Sequence, residues 1–137
     1  GATIEFENLR GESSSKGYRA YGQSKLANIL FTYELAERLK GTGVSVNCLH
    51  PGTIRTRLGR DYGILGALWR WFPLLRSAKK GAETAIYLAT SPEVQGASGK
   101  YFMDKKEARS SPESYDVTLR KQLWKISAEL TGLGNDR

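Results

Sequence analysis

The sequence predicts an α/β protein built as one half of a doubly wound parallel sheet. Two observations carry that expectation. First, a stretch with helical apolar spacing, Tyr21 to about Leu39, is followed after a short break by a β-branched run, Val44-Ser45-Val46-Asn47-Cys48-Leu49. Helix, short loop and buried strand form the repeating half-unit of a parallel sheet. Second, the order recurs: a helix over Lys79 to Ala89, a turn, a short strand over Lys100 to Met103, and a last helix. Two strands cannot make a sheet with both faces covered. The chain is therefore expected to be the C-terminal half of a larger sheet, with the N-terminal half absent, and residues 1–137 to form a single partial domain.

Each element has a local reason. Ala2 to Phe6 reads as a short extended piece and Asn8 to Gly17, with Ser13-Ser14-Ser15, as a polar loop. Leu26, Ile29, Leu30, Tyr33, Ala36 and Leu39 form one stripe of the Tyr21 helix. Gly41-Thr42-Gly43 ends it, since glycine supplies a left-handed cap and Lys40 suits the negative helix end. That Gly-Thr-Gly is no dinucleotide fingerprint: no strand precedes it, no helix follows, and position 46 is Val. The strand stops at His50-Pro51-Gly52, where proline lacks the N–H a central strand needs. Thr53 to Ala78 is long and irregular, rich in Arg and Trp, with one short amphipathic helix expected over Leu65 to Leu75. The helix from Lys79 carries Ala82, Ala85, Ile86 and Ala89 on its apolar side and stops at Ser91-Pro92. Gly96-Ala97-Ser98-Gly99 is a turn and Lys105 to Glu113 a polar loop. Ser114-Tyr115 opens the last helix, lined by Leu119, Leu123, Ile126 and Leu130 and ended by Gly132.

Composition narrows the function classes. A chain 39% hydrophobic and 26% charged is that of a soluble globular protein. No apolar run reaches the roughly 18–20 residues of a membrane span, and the first residues do not resemble a secretory signal. One cysteine, Cys48, excludes an internal disulfide framework, fits a reducing compartment and reads as small buried filler. One histidine and one cysteine cannot build a usual zinc site, so no metal is expected. The net charge of +7 is scattered among Asp and Glu, which reads as a solvated basic surface rather than a nucleic-acid face.

Chemistry concentrates at Tyr21-Gly22-Gln23-Ser24-Lys25. Tyr21 and Lys25 share a helix face, so a phenol stands beside an ammonium. A phenol ordinarily ionises near pH ~10, too high for a base near neutrality, and a neighbouring cation favours the phenolate. The same spacing recurs at Tyr101 and Lys105, but that strand ends before Lys105 and fixes no relation between the two. The second element is Pro51-Gly52-Thr53-Ile54-Arg55-Thr56, placed after a predicted parallel strand, where open α/β sheets bind ligands. Proline fixes the backbone there and glycine permits close approach of a flat ligand. His50, the lone histidine, reads as structural.

Three stretches together resemble the short-chain dehydrogenases/reductases, and within them the retinol dehydrogenase-like branch: YGQSKLANILFTYELAERLKGTGVSVNCLHPGTIRT, KKGAETAIYLATSPEVQGASGKYF and LWKISAELTGL. The resemblance implies the C-terminal half of a Rossmann-like, three-layer α/β/α sheet and an oxidoreductase moving hydride between NADP(H), or NAD, and an alcohol or carbonyl. Tyr21 would be the catalytic acid/base, with Lys25 as the nearby cation that favours its phenolate and as the group that holds the nicotinamide ribose. Pro51, Gly52 and the backbone of Ile54 would face the nicotinamide, with Thr56 on its carboxamide. Residues 57–78 would be a substrate lid, suited to an apolar alcohol, aldehyde or ketone such as a retinoid, or to peripheral membrane contact.

The family's glycine-rich phosphate turn and catalytic serine have no counterpart in this sequence. Ser13, Ser14 and Ser15 lie in a loop too close to Tyr21 to serve as that serine. The isolated chain is accordingly expected to bind cofactor poorly and to be inactive alone. The resemblance implies a cytoplasmic location, or membrane association through an N-terminal anchor. The alternative is a non-catalytic product acting by association, with a homodimer through the Tyr21 helix. A basic nucleic-acid or membrane-surface module over Arg55 to Lys80 is the weaker third reading.

Overall fold

A computed structural model of the chain describes residues 2–9, 17–54 and 76–133. The main elements are helix α1 (Gly17–Arg38), strand β1 (Asn47–His50), helix α2 (Ala78–Thr90), strands β2 (Lys100–Met103) and β3 (Lys106–Ala108), and helix α3 (Val117–Thr131). Among the described residues there are also three 3₁₀ turns, Phe6–Asn8, Pro92–Val94 and Pro112–Tyr115. The sheet order is β1-β2-β3, with α2 as the helical crossover that a parallel β1–β2 pair requires. The predicted α/β class is thus the observed one. No described helix is long and apolar enough to cross a membrane.

Two compact units contain these elements. In the first (Gly1–Cys48, Gly96–Tyr101 and Arg109–Arg137), the predicted stripe of α1 builds the core. Leu26 and Leu30 pack with Leu123 of α3, and Ala2, Ile4, Phe6, Leu9 and Leu119 close around them. Tyr33 and Ala36 continue the buried face. A charged residue lies inside this seam: Glu34 is only 4% exposed. Arg38, one turn on, donates from Nε to its Oε1 at 2.9 Å, and Arg120 of α3 brings its Nε within 3.2 Å of Oε2 without hydrogen-bond alignment. The Arg38 guanidinium also lies 4.4 Å from the Trp124 ring centroid, and that ring stacks on Phe31. Beside it, the buried Tyr33 hydroxyl meets Ser110 Oγ at 2.7 Å, and Ser110 Oγ meets the fully buried Ser114 hydroxyl at 2.6 Å. Burial pushes the Tyr33 phenol up to about 12. Cys48 is half-buried with its thiol 3.7 Å from the Lys100 carbonyl, and burial raises its pKa, as suits filler rather than a reactive thiolate.

In the second unit (Leu49–Gln95 and Phe102–Ala108), Ser77 caps α2 by accepting from the Lys80 N–H at 3.2 Å. Arg76 pairs with both carboxylate oxygens of Asp104, which holds the Asp104 carboxyl below its usual range. Thr84, buried on α2, accepts the Lys105 N–H at 3.2 Å.

Several boundaries differ from the sequence-based expectation. α1 begins at Gly17, a turn before Tyr21. β1 starts at Asn47 rather than Val44, because side chains take the earlier donors: Thr42 Oγ1 accepts from Val44 N–H and Ser98 Oγ from Val46 N–H. The polar stretch after Met103 contains a third strand, so the strand count of two was low. Asp104 and Lys105 there have φ of 53° and 64°, the paired left-handed geometry of a two-residue hairpin turn, made here without the usual Asn-Gly signature. α3 is capped by Asp116, which accepts from Leu119 N–H at 2.9 Å, rather than opened by Ser114, whose side chain is committed to the Pro112–Tyr115 turn. Leu130 of its expected apolar line is exposed. The buried side of α2 is Gly81 and Thr84, while Ala82, Ala85, Ile86 and Ala89 face outward, Ile86 at 58% exposure. Gly81 is required because the Ile54 side chain fills the space a Cβ would need. The expected helix over 65–75, most of 57–78 and Ser13 to Ser15 lie outside the described residues.

Removing one partner of a buried ion pair strands the other, at about 3–5 kcal/mol. Glu34→Ala should therefore lower unfolding stability of the full natural chain by about 3 kcal/mol, and a Glu34→Leu/Arg120→Met double variant should recover much of it, as read by denaturant titration. Tyr33 has a folded pKa raised above its unfolded value of 10.0 to about 12. Its contribution is fully present below pH 10.0 and declines as pH rises toward about 12. Stability measured across that window should fall in the parent chain and fall less steeply in Tyr33→Phe.

Candidate functional site

The first turns of α1 line a cavity, and all of its lining belongs to the first unit. Residues 18, 21, 22 and 25 recur at three- and four-residue intervals and so share a helix face. The core begins beside this face at Leu26 and Leu30, while Tyr18 and Tyr21 stay largely in solvent. Tyr18 is 88% exposed and Tyr21 54%. The Lys25 ammonium lies 5.2 Å from the Tyr21 ring centroid. Among the described residues Lys25 makes no ion pair, so its charge is directed at the phenol ring and the cavity. Ser24 is spent locally, donating to the Tyr21 carbonyl at 2.8 Å.

The cavity measures about 460 Å³ and lies between these side chains and the extended piece from Ala2 to Glu5. Two residues of α1 hold that piece. Gln23 Oε1 accepts from the Glu5 N–H at 2.8 Å, and Arg19 Nη2 donates to Glu5 Oε1 at 2.6 Å. Neither was singled out from the sequence. Their only signal there is the i,i+4 spacing of Arg19 and Gln23, because their partner is distant in the chain.

The Pro51-Gly52 turn belongs to the second unit. Gly52 has φ of +81°, a conformation that favours glycine, and its N–H donates to His50 Nδ1 at 2.9 Å. His50 thus braces the turn, the structural role read from the sequence. The space beside the Gly52 Cα is occupied by the Arg76 side chain: a Cβ there would stand 2.7 Å from Arg76 Cδ. Ile54 forms a parallel bridge with Arg76, whose N–H donates to the Thr53 carbonyl at 2.8 Å. Thr56 lies outside the described residues. Of the other Tyr-x-x-x-Lys pair, Tyr101 is half-buried in β2 with its phenol pKa raised by burial, and the Lys105 ammonium is 3.4 Å from Glu83. Among the described residues no three metal-ligating side chains cluster.

The model of a family described as short chain dehydrogenase matches residues 1–63, which include Tyr21, Lys25 and the Pro51-Gly52 turn. The chain is 48% identical over 136 residues to human retinol dehydrogenase 14, covering 95% of this chain and 40% of that protein. It is 43% identical over 132 residues to human retinol dehydrogenase 12, covering 95% of this chain and 42% of that protein. The chain therefore spans about two fifths of the length of these curated relatives. A crystal structure of an uncharacterized protein from Mycobacterium paratuberculosis superposes with a TM-score of 0.70 at 27% identity, over 96% of this chain and 46% of that one.

Gly22 interrupts α1 between Tyr21 and Gln23, yet a Cβ there would meet only Ala2 Cβ at 3.4 Å, an ordinary contact. Gly22→Ala should therefore stabilise the chain by about 0.5–1 kcal/mol through helix propensity, seen as a raised melting temperature. Gly52→Ala should do the opposite, since it combines a left-handed φ with a clash against Arg76.

Proposed function

The chain belongs to the short-chain dehydrogenase/reductase family, and from that premise we propose that it carries the proton-transfer pair of an oxidoreductase acting on an alcohol or carbonyl group with NADP(H), or with NAD(H) in its place. The observation that supports this most is the Lys25 ammonium 5.2 Å from the Tyr21 ring, with both side chains opening on one cavity.

In carbonyl reduction the Tyr21 hydroxyl gives its proton to the substrate oxygen, and in alcohol oxidation the phenolate takes that proton back. Lys25 stabilises the negative charge that appears on Tyr21 in either direction. The nicotinamide, when bound, would supply or accept the hydride at the substrate carbon. Lys25 also suits the cofactor's ribose, as an ammonium with its donors uncommitted to any described carboxylate. In the same reading Pro51, Gly52, the Ile54 backbone and Thr56 would face the nicotinamide. The Arg76 side chain, filling the space beside Gly52, backs that turn from one side. An apolar substrate follows from the aromatic and aliphatic character of residues 57–78, proposed as the lid, and from relatives whose names specify retinol.

The deciding experiment is NADPH oxidation by the full natural chain with an aldehyde or ketone. Tyr21→Phe should lower kcat by at least about a hundredfold, the usual scale of a lost acid/base group. Lys25→Met should lower it as well and weaken cofactor binding. Full activity in Tyr21→Phe would overturn the assignment.

A further inference from the structure

We propose that Gln23 is a positioning residue that sets the carbonyl-substrate affinity of this site by fixing the wall of the cavity beside Tyr21. The proposal rests on the reading of Tyr21 as the proton-transfer residue. That wall is the piece from Ala2 to Glu5, which belongs to neither helix nor strand. Two side chains one turn apart on α1 seize the same residue of it. Arg19 takes the Glu5 carboxylate and Gln23 takes the Glu5 backbone N–H. They are not equivalent. The Arg19 pair is solvent-exposed at both ends, 69% and 39%, and such pairs add little. The Gln23 bond is partly buried and grips the backbone, so it fixes where the wall runs whatever side chain position 5 carries.

The position of Gln23 gives this bond its consequence. It lies between Tyr21 and Lys25 in sequence and lines the same cavity. The distance between the wall and the phenol is therefore set within one turn of one helix. Gly22, next to it, packs close to Ala2 of the wall. The expected substrate is a carbonyl compound or alcohol with an apolar body, lying between the wall and the Tyr18 ring.

The test is steady-state kinetics of the full natural chain with an apolar aldehyde and NADPH. Gln23→Leu removes the acceptor and should raise KM for the aldehyde about five- to tenfold, leaving kcat and KM for NADPH within about twofold. Gln23→Glu keeps an acceptor oxygen and should return the aldehyde KM close to that of the parent. Glu5→Pro removes the N–H that Gln23 accepts, and should raise the aldehyde KM as Gln23→Leu does, with no further rise when the two are combined. An unchanged aldehyde KM in Gln23→Leu and Glu5→Pro, with Tyr21→Phe inactive in the same assay, would overturn the proposal and leave the Tyr21 assignment standing. A parallel loss of kcat, both KM values and melting temperature would show a merely structural role and overturn it too. Turnover retained in Tyr21→Phe would remove the premise itself.

Discussion

A buried carboxylate governs how the first unit is put together. Glu34 sits on the core face of α1, and a charge removed from water there must be compensated or the helix cannot dock. Compensation comes from Arg38 on its own helix and Arg120 on α3. Leucine packing alone would tolerate α3 at several rotations, because apolar contact has no direction. Arg120 narrows that choice by reaching Glu34 from α3, and Trp124, held against Arg38 and Phe31 of α1, adds a second point. Fixing the rotation of α1 also fixes which of its faces looks outward. That outward face is the one bearing Tyr18, Tyr21 and Lys25, so the position of the phenol–ammonium pair depends on a charge on the far side of the same helix.

Local patterns proved legible and long-range partnerships did not. The stripe from Leu26 to Ala36 showed which side of α1 is buried, because helical period alone sorts it. Gly41 and Gly43, with φ of 82° and 83°, end the helix as glycine chemistry requires, and β2 falls on Lys100–Met103 as read. The apolar line of α2 misled, because its alanines are small enough to face outward while Gly81 and Thr84 are buried for reasons set elsewhere in the chain: the Ile54 side chain and the Lys105 amide. β3 was invisible for a similar reason. Lys-Glu-Ala has no strand propensity, and the turn before it imposes the pairing. At the site, Tyr21 and Lys25 could be found because helix spacing joins them, whereas Gln23 and Arg19 find their partner in a piece of chain outside the helix.

The basic balance of the chain also has a local explanation. Of the described cations, Arg19, Arg38, Arg76, Lys80, Lys105 and Arg120 each meet a carboxylate. These pairs are spread through both units instead of forming one basic face, which favours a solvated surface over a polyanion-binding one.

The bridge between Ile54 and Arg76 has an evolutionary consequence. Residues 54 and 76 are held together by their bridge and by a backbone bond from Arg76 to Thr53, and Arg76 is tied in turn to Asp104, so the two ends meet at one closed point of the second unit. Beyond such a closed base, added length costs only loop entropy, about 0.6 kcal/mol for each doubling. A change in the number of residues between 54 and 76 should therefore bear lightly on the pairing that holds these two ends. The second unit can therefore hold this junction fixed while the sequence between its two ends varies.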